Sequence, residues 1–165
     1  MTVVADISRL LLRDLATFRR EVELFPDDAS LWQSAPGVTN SAGNLALHIA
    51  GNLRHFVGAN LGGTGYVRNR DAEFGTREGT RAQVVKELEA AEAEVATSLA
   101  KLDDAALQQP YANGPKGVEV TTQRWLLHLA THAAFHLGQA GYLRRILTGN
   151  TATADTVSVK ALNEP

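Results

Sequence analysis

Apolar residues recur at helical spacing in four stretches of the chain. The first covers residues 5–25 and repeats apolar side chains every three or four positions until Pro26, which cannot continue a helix. The second covers residues 41–63, beginning at Ser41, a favourable N-cap, and ending at paired glycines. Both stretches predict amphipathic helices.

The third and fourth stretches differ in how much of the helix surface is apolar. The third follows Thr80 as N-cap and extends to Leu102, with acidic residues around the rest of the wheel. The fourth runs from a cap at Thr121 or Thr122 to Gly149 and is apolar over most of its circumference, which predicts a central, largely covered helix. Together the four stretches predict an all-α four-helix bundle.

The connections between the helices are long. They hold roughly 15–18 residues each, against the usual two to eight in bundles, and loops of that length are usually functional or structured. The loop over residues 61–79 carries a dense polar and aromatic run, and residues 151–165 are small and polar. We expect one domain over residues 1–150 followed by a C-terminal tail over 151–165.

Composition narrows the class of protein. The chain has 165 residues, 44% hydrophobic and 21% charged, and these values are typical of a globular domain. No run approaches the ~18–20 apolar residues of a membrane-spanning helix, and a net charge of −2 with mixed signs disfavours nucleic acid as a partner. The chain shows no signal peptide, so the cytoplasm is expected. It has no cysteine, which excludes disulfides, thiolate metal sites and a thiol nucleophile of the protein's own.

All five histidines fall in two of the predicted helices. His128, His132 and His136 are four residues apart and form one inclined stripe, so adjacent members can share a metal ion. His48 and His55 lie about 10 Å apart along their helix, so only one of them can join a given ion. Imidazoles suit zinc, nickel, iron and copper, and three of them leave coordination positions open. The alternative is a core in which each ring nitrogen is hydrogen-bonded.

Two motifs resemble a known family. The run HAAFHLGQ over residues 132–139 lacks the glutamate of zinc proteases but resembles the C-terminal His-x-x-x-His-x-Gly-Gln signature of the DinB/YfiT-like proteins. The run NLALHIAGN over residues 44–52 is similar to that family's second-helix motif. The resemblance implies His48, His132 and His136 as ligands of a divalent metal, zinc or nickel, in a bundle wound up-down-down-up with long crossover loops. Leu137 stands where many members carry an arginine.

The same resemblance implies a range of functions. Members include homodimeric metal-dependent transferases and isomerases that use an external low-molecular-weight thiol on a small-molecule substrate, and this is the function we expect. One alternative is a metal-dependent hydrolase, for which the sequence offers no evident carboxylate base beyond Glu73. The other is a non-enzymatic dimeric stress protein that binds a metal.

Several residues near the histidines are candidates for supporting roles. Gln139 is three residues after His136 and Asn52 is one turn after His48, so either amide can bond the outer nitrogen of its histidine. Each amide can equally cap or bridge loops. His128 precedes the ligand pair by one turn and is a candidate outer donor or pocket wall, although plain packing also explains it.

The long loop offers groups for holding the thiol. Arg68, Arg70 and Tyr66 can bind a carboxylate or sugar of that cofactor. The competing interpretation is a loop laced by salt bridges that merely closes the end of the bundle.

A homodimer is also expected from the apolar surface. Residues 10–12 are three consecutive leucines, and residues 125–129 are similarly rich in apolar side chains, which exceeds what one bundle seam accommodates. We expect a second copy to cover the excess, burying on the order of 1,000 Å² or more in total. The alternative is a monomer in which residues 151–165 lie across the bundle.

Overall fold

Seven α-helices make up most of the computed structural model, which describes residues 2–114, 117, 119–155 and 158–162. They are α1 (Val3–Glu23), α2 (Asp28–Leu31), α3 (Ala42–Leu53), α4 (Arg70–Gly75), α5 (Arg81–Leu99), α6 (Asp104–Leu107) and α7 (Thr122–Thr148). A π-helix over Arg54–Ala59 continues α3, and a 3-10 helix covers Lys160–Leu162. Within the described residues there is no strand, so the all-α prediction is confirmed.

Local sequence signals account for the helix ends. Ser41, Thr80 and Thr121 each accept a hydrogen bond from the backbone N–H three residues further on, which satisfies one of the unpaired donors of the first turn. The N-caps expected from the sequence are therefore confirmed. α7 ends at Gly149, whose φ of +66° is in the left-handed region that favours glycine.

The helices form an up-down-down-up bundle. α1 and α3 each pack between α5 and α7. A buried ion pair joins the last turns of α1 and α7, so these two helices are parallel. Phe56, just past α3, lies 5.1 Å from Trp125 at the start of α7, measured between ring centroids, so α3 and α7 are antiparallel. Arg54 bonds Glu94 in the second half of α5 at 2.9 Å, so α5 runs in the same direction as α3.

The apolar surface is distributed differently from the sequence expectation. Leu11 and Trp125, which were expected to exceed the bundle seam, are buried within the chain. α7 is not covered all round. Its exposed large apolar side chains are Leu127, Phe135, Tyr142 and Ile146.

The segment that follows α7 is held by a buried arginine. Arg144, fully inaccessible to solvent, donates from Nε to Glu21 Oε2 at 2.5 Å. Its two terminal nitrogens donate to the carbonyl oxygens of Asn150 and Ala152, each at 2.7 Å. Ala154 is also buried. The described part of the tail is therefore packed against the bundle.

Candidate metal centre

Three imidazole rings meet between α3 and α7. The Nε2 atom of His132 lies 3.3 Å from Nε2 of His48 and 3.1 Å from Nε2 of His136. Nitrogens bound to one zinc ion at about 2.1 Å and about 100° apart lie about 3.2 Å from each other. The three rings therefore have the spacing of a common ligand set, and among the described residues this set does not include His55.

In two of the rings, the outer nitrogen, Nδ1, is held by a hydrogen bond that orients Nε2 toward the centre of the cluster. Nδ1 of His48 is 2.9 Å from Glu73 Oε2, and Nδ1 of His136 is 2.7 Å from Gln139 Oε1. Both oxygens are acceptors, so each Nδ1 carries a proton and Nε2 is the nitrogen through which each neutral ring can ligate a metal. The three ligand atoms all lie within 4.8 Å of one another, a spacing that fits a cation between them.

The ring of His132 is uncharged at neutral pH. Burial, followed by the neighbouring His136 and His48, lowers the pKa of His132 to about 4. Burial also lowers the pKa of His136, against an opposing effect of its bond to Gln139. Neutral imidazole is the form that ligates metals, so the site is ready to bind at neutral pH.

Glu73 is fixed by an arginine as well as by His48. Arg68 donates from Nε to Glu73 Oε1 and from Nη2 to Glu73 Oε2, each at 2.7 Å. Burial alone would raise the pKa of Glu73, but the bonds from Arg68 and His48 outweigh it and lower that pKa. The carboxylate is therefore ionised and braces His48 from behind, in the carboxylate–histidine arrangement common at metal sites.

Residues of α3 hold Glu73 in place. Asn44 donates from Nδ2 to the carbonyl oxygens of Glu73 at 2.9 Å and Thr76 at 2.8 Å, which fastens α4 to α3. A Cβ atom at Gly51 would overlap Glu73 Oε1, so only glycine leaves room for the carboxylate. This role of Glu73 was not predicted from the sequence. The asparagine and glycine that flank His48 in its motif were the available signal.

The residues expected to hold a thiol lie in different environments. Arg68 is engaged by Glu73 as described, and Tyr66 is half-buried with the Arg54 guanidinium 4.0 Å above its ring. Burial raises the pKa of Tyr66. Arg70 is exposed and lies 4.9 Å from the ring centroid of Phe74.

The remaining candidates occupy the side of the centre nearer the start of α7. His128 is exposed and stacks parallel to His132, with 5.9 Å between ring centroids, and its ring is also 5.1 Å from Trp125. Asn52 is 6% exposed, and its Oδ1 has no hydrogen-bonding partner among the described residues. The outer nitrogen of His48, which Asn52 was expected to bond, is taken by Glu73 instead.

A four-helix bundle with three converging histidines defines a class of metal-binding helical proteins. The family model of the DinB superfamily matches residues 10–140, and the chain belongs to that superfamily. The crystal structure of a conserved protein from Enterococcus faecalis is similar with a TM-score of 0.71 and 20% identity, over 91% of this chain and 99% of that one. At that identity the likeness shows a shared fold. No curated protein matches the chain. In the described residues, none of the helices is long and apolar enough to cross a membrane.

Proposed function

We propose that the chain is a metal-dependent transferase or isomerase that acts on a small electrophilic substrate through an external low-molecular-weight thiol. Zinc or nickel suits its three nitrogen donors. A divalent ion held by neutral imidazoles keeps its full charge, and when bound it favours the thiolate form of such a cofactor. Because thiols are kept reduced in the cytoplasm, we propose that compartment.

The observation that carries the proposal is the engagement of Glu73. Both of its oxygens are bonded, to Arg68 and to the outer nitrogen of His48, so the carboxylate does not face the Nε2 atoms. The described residues contribute no carboxylate to the donor group. A hydrolase would need a base close to the reacting water, whereas a thiolate is already a nucleophile. The arrangement therefore favours thiol transfer over hydrolysis.

We propose that Arg70 is the chief anchor of the thiol cofactor. Of the three loop residues considered, it is the exposed cation, and Arg68 is already occupied by Glu73. A guanidinium binds a carboxylate through two parallel hydrogen bonds. We propose that Tyr66 contributes its hydroxyl from the same loop.

The test is elemental analysis of protein purified without a histidine tag, followed by a screen of thiols against model electrophiles. We expect about one zinc or nickel per chain and metal-dependent conjugation. His132→Ala should lose both the metal and the conjugation while keeping its helical circular dichroism, because four long helices do not require an ion to fold. Ester hydrolysis without conjugation would favour the hydrolase. Bound metal without any turnover would favour a binding module.

We also propose that two copies associate through α7. The exposed side chains at positions 127, 135, 142 and 146 fall within an arc of about 100° on the helix. Several large apolar side chains exposed on one side of a helix are a common feature of an interface. Tyr142→Glu should dissociate the pair, whereas Val67→Glu, which changes an exposed apolar residue that is not on α7, should not. Sedimentation equilibrium of the wild type at 17.7 kDa would refute the dimer.

A further inference from the structure

Two buried polar atoms near the metal centre lack hydrogen-bonding partners in the described part of the chain. They are Nδ1 of His132 and Oδ1 of Asn52. The outer nitrogens of His48 and His136 are both bonded, so His132 is the exception among the three rings. A buried polar atom without a partner costs roughly 1–3 kcal/mol, so each of these two requires an explanation.

The two atoms belong to facing helices at neighbouring levels. α3 and α7 are antiparallel, and the contacts of His48 with His132 and of Phe56 with Trp125 lie on either side of Asn52. Asn52 is one turn, or about 6 Å, past His48 toward Phe56. Side chains in a helix lean toward its N-terminus, so Asn52 leans toward the level of His48 while His132 leans toward the level of Asn52.

Proton counting shows what metal binding does to His132. A neutral imidazole carries one proton. Without an ion, that proton on Nε2 can be shared with Nε2 of His48 at 3.3 Å and Nε2 of His136 at 3.1 Å. With an ion, all three Nε2 lone pairs face the metal, so the proton of His132 must sit on Nδ1. The loaded site therefore creates a buried donor that needs an acceptor.

We propose that Asn52 is the positioning residue for His132 in the metal-loaded protein, through one buried water that accepts from Nδ1–H and donates to Asn52 Oδ1. The water is required because neither atom is within hydrogen-bonding distance of the other or of another described group. A water between two such partners is a common and stable element of protein interiors. The proposal rests on the metal site of the proposed function and is independent of its thiol chemistry.

The first test compares metal dissociation constants measured by competition with a chromophoric chelator. Asn52→Leu keeps the side-chain volume but removes the acceptor, and we expect it to weaken zinc binding about tenfold or more, as loss of an outer partner does elsewhere. Asn52→Asp keeps an acceptor and should bind within about threefold of wild type or tighter, since its charge supports a donor. Ser98→Ala is the matched control, because Ser98 Oγ is also buried without a partner but lies outside the donor group.

Two further readouts separate positioning from plain stability. The visible absorption of the cobalt-loaded protein should shift in Asn52→Leu and remain unchanged in Ser98→Ala, since only the former frees a ligand ring to rotate. A high-resolution crystal structure of the zinc-loaded wild type should show one water in contact with both atoms. Unchanged affinity and spectrum in a folded Asn52→Leu variant would overturn the proposal. If that variant does not fold, weak binding by Asn52→Asp or the absence of the water would overturn it. Metal binding without thiol transfer would contradict only the proposed function.

Discussion

α7 carries two buried polar clusters that differ in how completely they are bonded. At its end, Arg144 pairs with Glu21, and its remaining terminal nitrogens donate to two carbonyls of the following segment. About two to three turns earlier, Nε2 of His132 lies close to Nε2 of His136 and Nε2 of His48. In the first cluster, each of the three side-chain nitrogens of Arg144 donates to an acceptor of the protein itself. The second gathers lone pairs toward one point, which is what a site for a cation requires.

The two arginine–glutamate ion pairs of the molecule's buried clusters have different roles. Glu21 and Arg144 are both buried in the bundle and link α1 to α7. Glu73 and Arg68 come from a crossover loop, and their carboxylate also bonds a ligand ring. The first pair therefore contributes to global stability, whereas the second sets the orientation of a ligand. Mutations in the two clusters should change different measurements.

Loss of Arg144 should have the largest effect. Arg144→Ala leaves Glu21 buried without its partner, and we expect the free energy of unfolding to fall by about 3–5 kcal/mol in chemical denaturation. Arg145→Ala is the control, because Arg145 is partly exposed and its contact with Glu21, at 3.4 Å, is longer than that of Arg144. This variant should lower the free energy of unfolding by less than about 1 kcal/mol. The metal affinity of the folded Arg144→Ala protein should be that of wild type. A parallel loss of affinity would show that the two clusters are coupled.

Neutralising Glu73 should change zinc affinity more than stability, the opposite of the effect of losing Arg144. Glu73→Gln removes the charge that braces His48, and zinc affinity should fall roughly 10–100-fold with a smaller effect on unfolding. Asp71→Asn changes an exposed acid of the same helix, α4, and should leave the affinity unchanged. Equal affinities for the two variants would mean that Glu73 supports the loop but not the ligand.

Filling the space beside Glu73 should also lower zinc affinity, but less than neutralising Glu73 does. Gly51→Ala places a methyl group where the carboxylate oxygen lies, so zinc binding should weaken up to about tenfold. Gly75→Ala, at the end of α4, meets open space and serves as the control. Calorimetric titration with zinc measures both. Tight binding by Gly51→Ala would show that Glu73 can shift without loss of its contact to His48.

Lowering the pH should have the smallest effect, and the quantity that changes is the stability of the metal-free protein. The folded pKa of His132, about 4, is below the ordinary value of 6.5, so between these pH values the unfolded chain binds a proton that the folded chain does not. The contribution of His132 to stability should therefore be complete well above pH 6.5 and fall as the pH drops from there toward 4, with a slope below the ~1.4 kcal/mol per pH unit that one full proton gives. Urea midpoints from pH 7.5 to 5 measure the slope. His132→Gln should flatten it, and an identical slope would assign the effect to other groups.

Sequence reasoning succeeded where the signal is local. The caps at Ser41 and Thr80 and the helical periodicity come from contacts within a few residues, so the four long helices were predictable. Spacing alone allowed either His48 or His55 into the donor set, and the family motif was needed to favour His48. The bracing by Glu73 was not predictable, because it depends on a loop folding back by 25 positions onto α3.

Both clusters also set the order of events during synthesis. Arg144 follows its partner Glu21 by 123 positions in the sequence, and His132 follows His48 by 84 positions. Until α7 has left the ribosome, Glu21 has no buried partner and must stay in water, so α1 cannot settle into its final place. A nascent chain that ends before α7 also presents only one of the three imidazoles. Metal capture therefore follows translation of α7, and an ion cannot template the earlier helices.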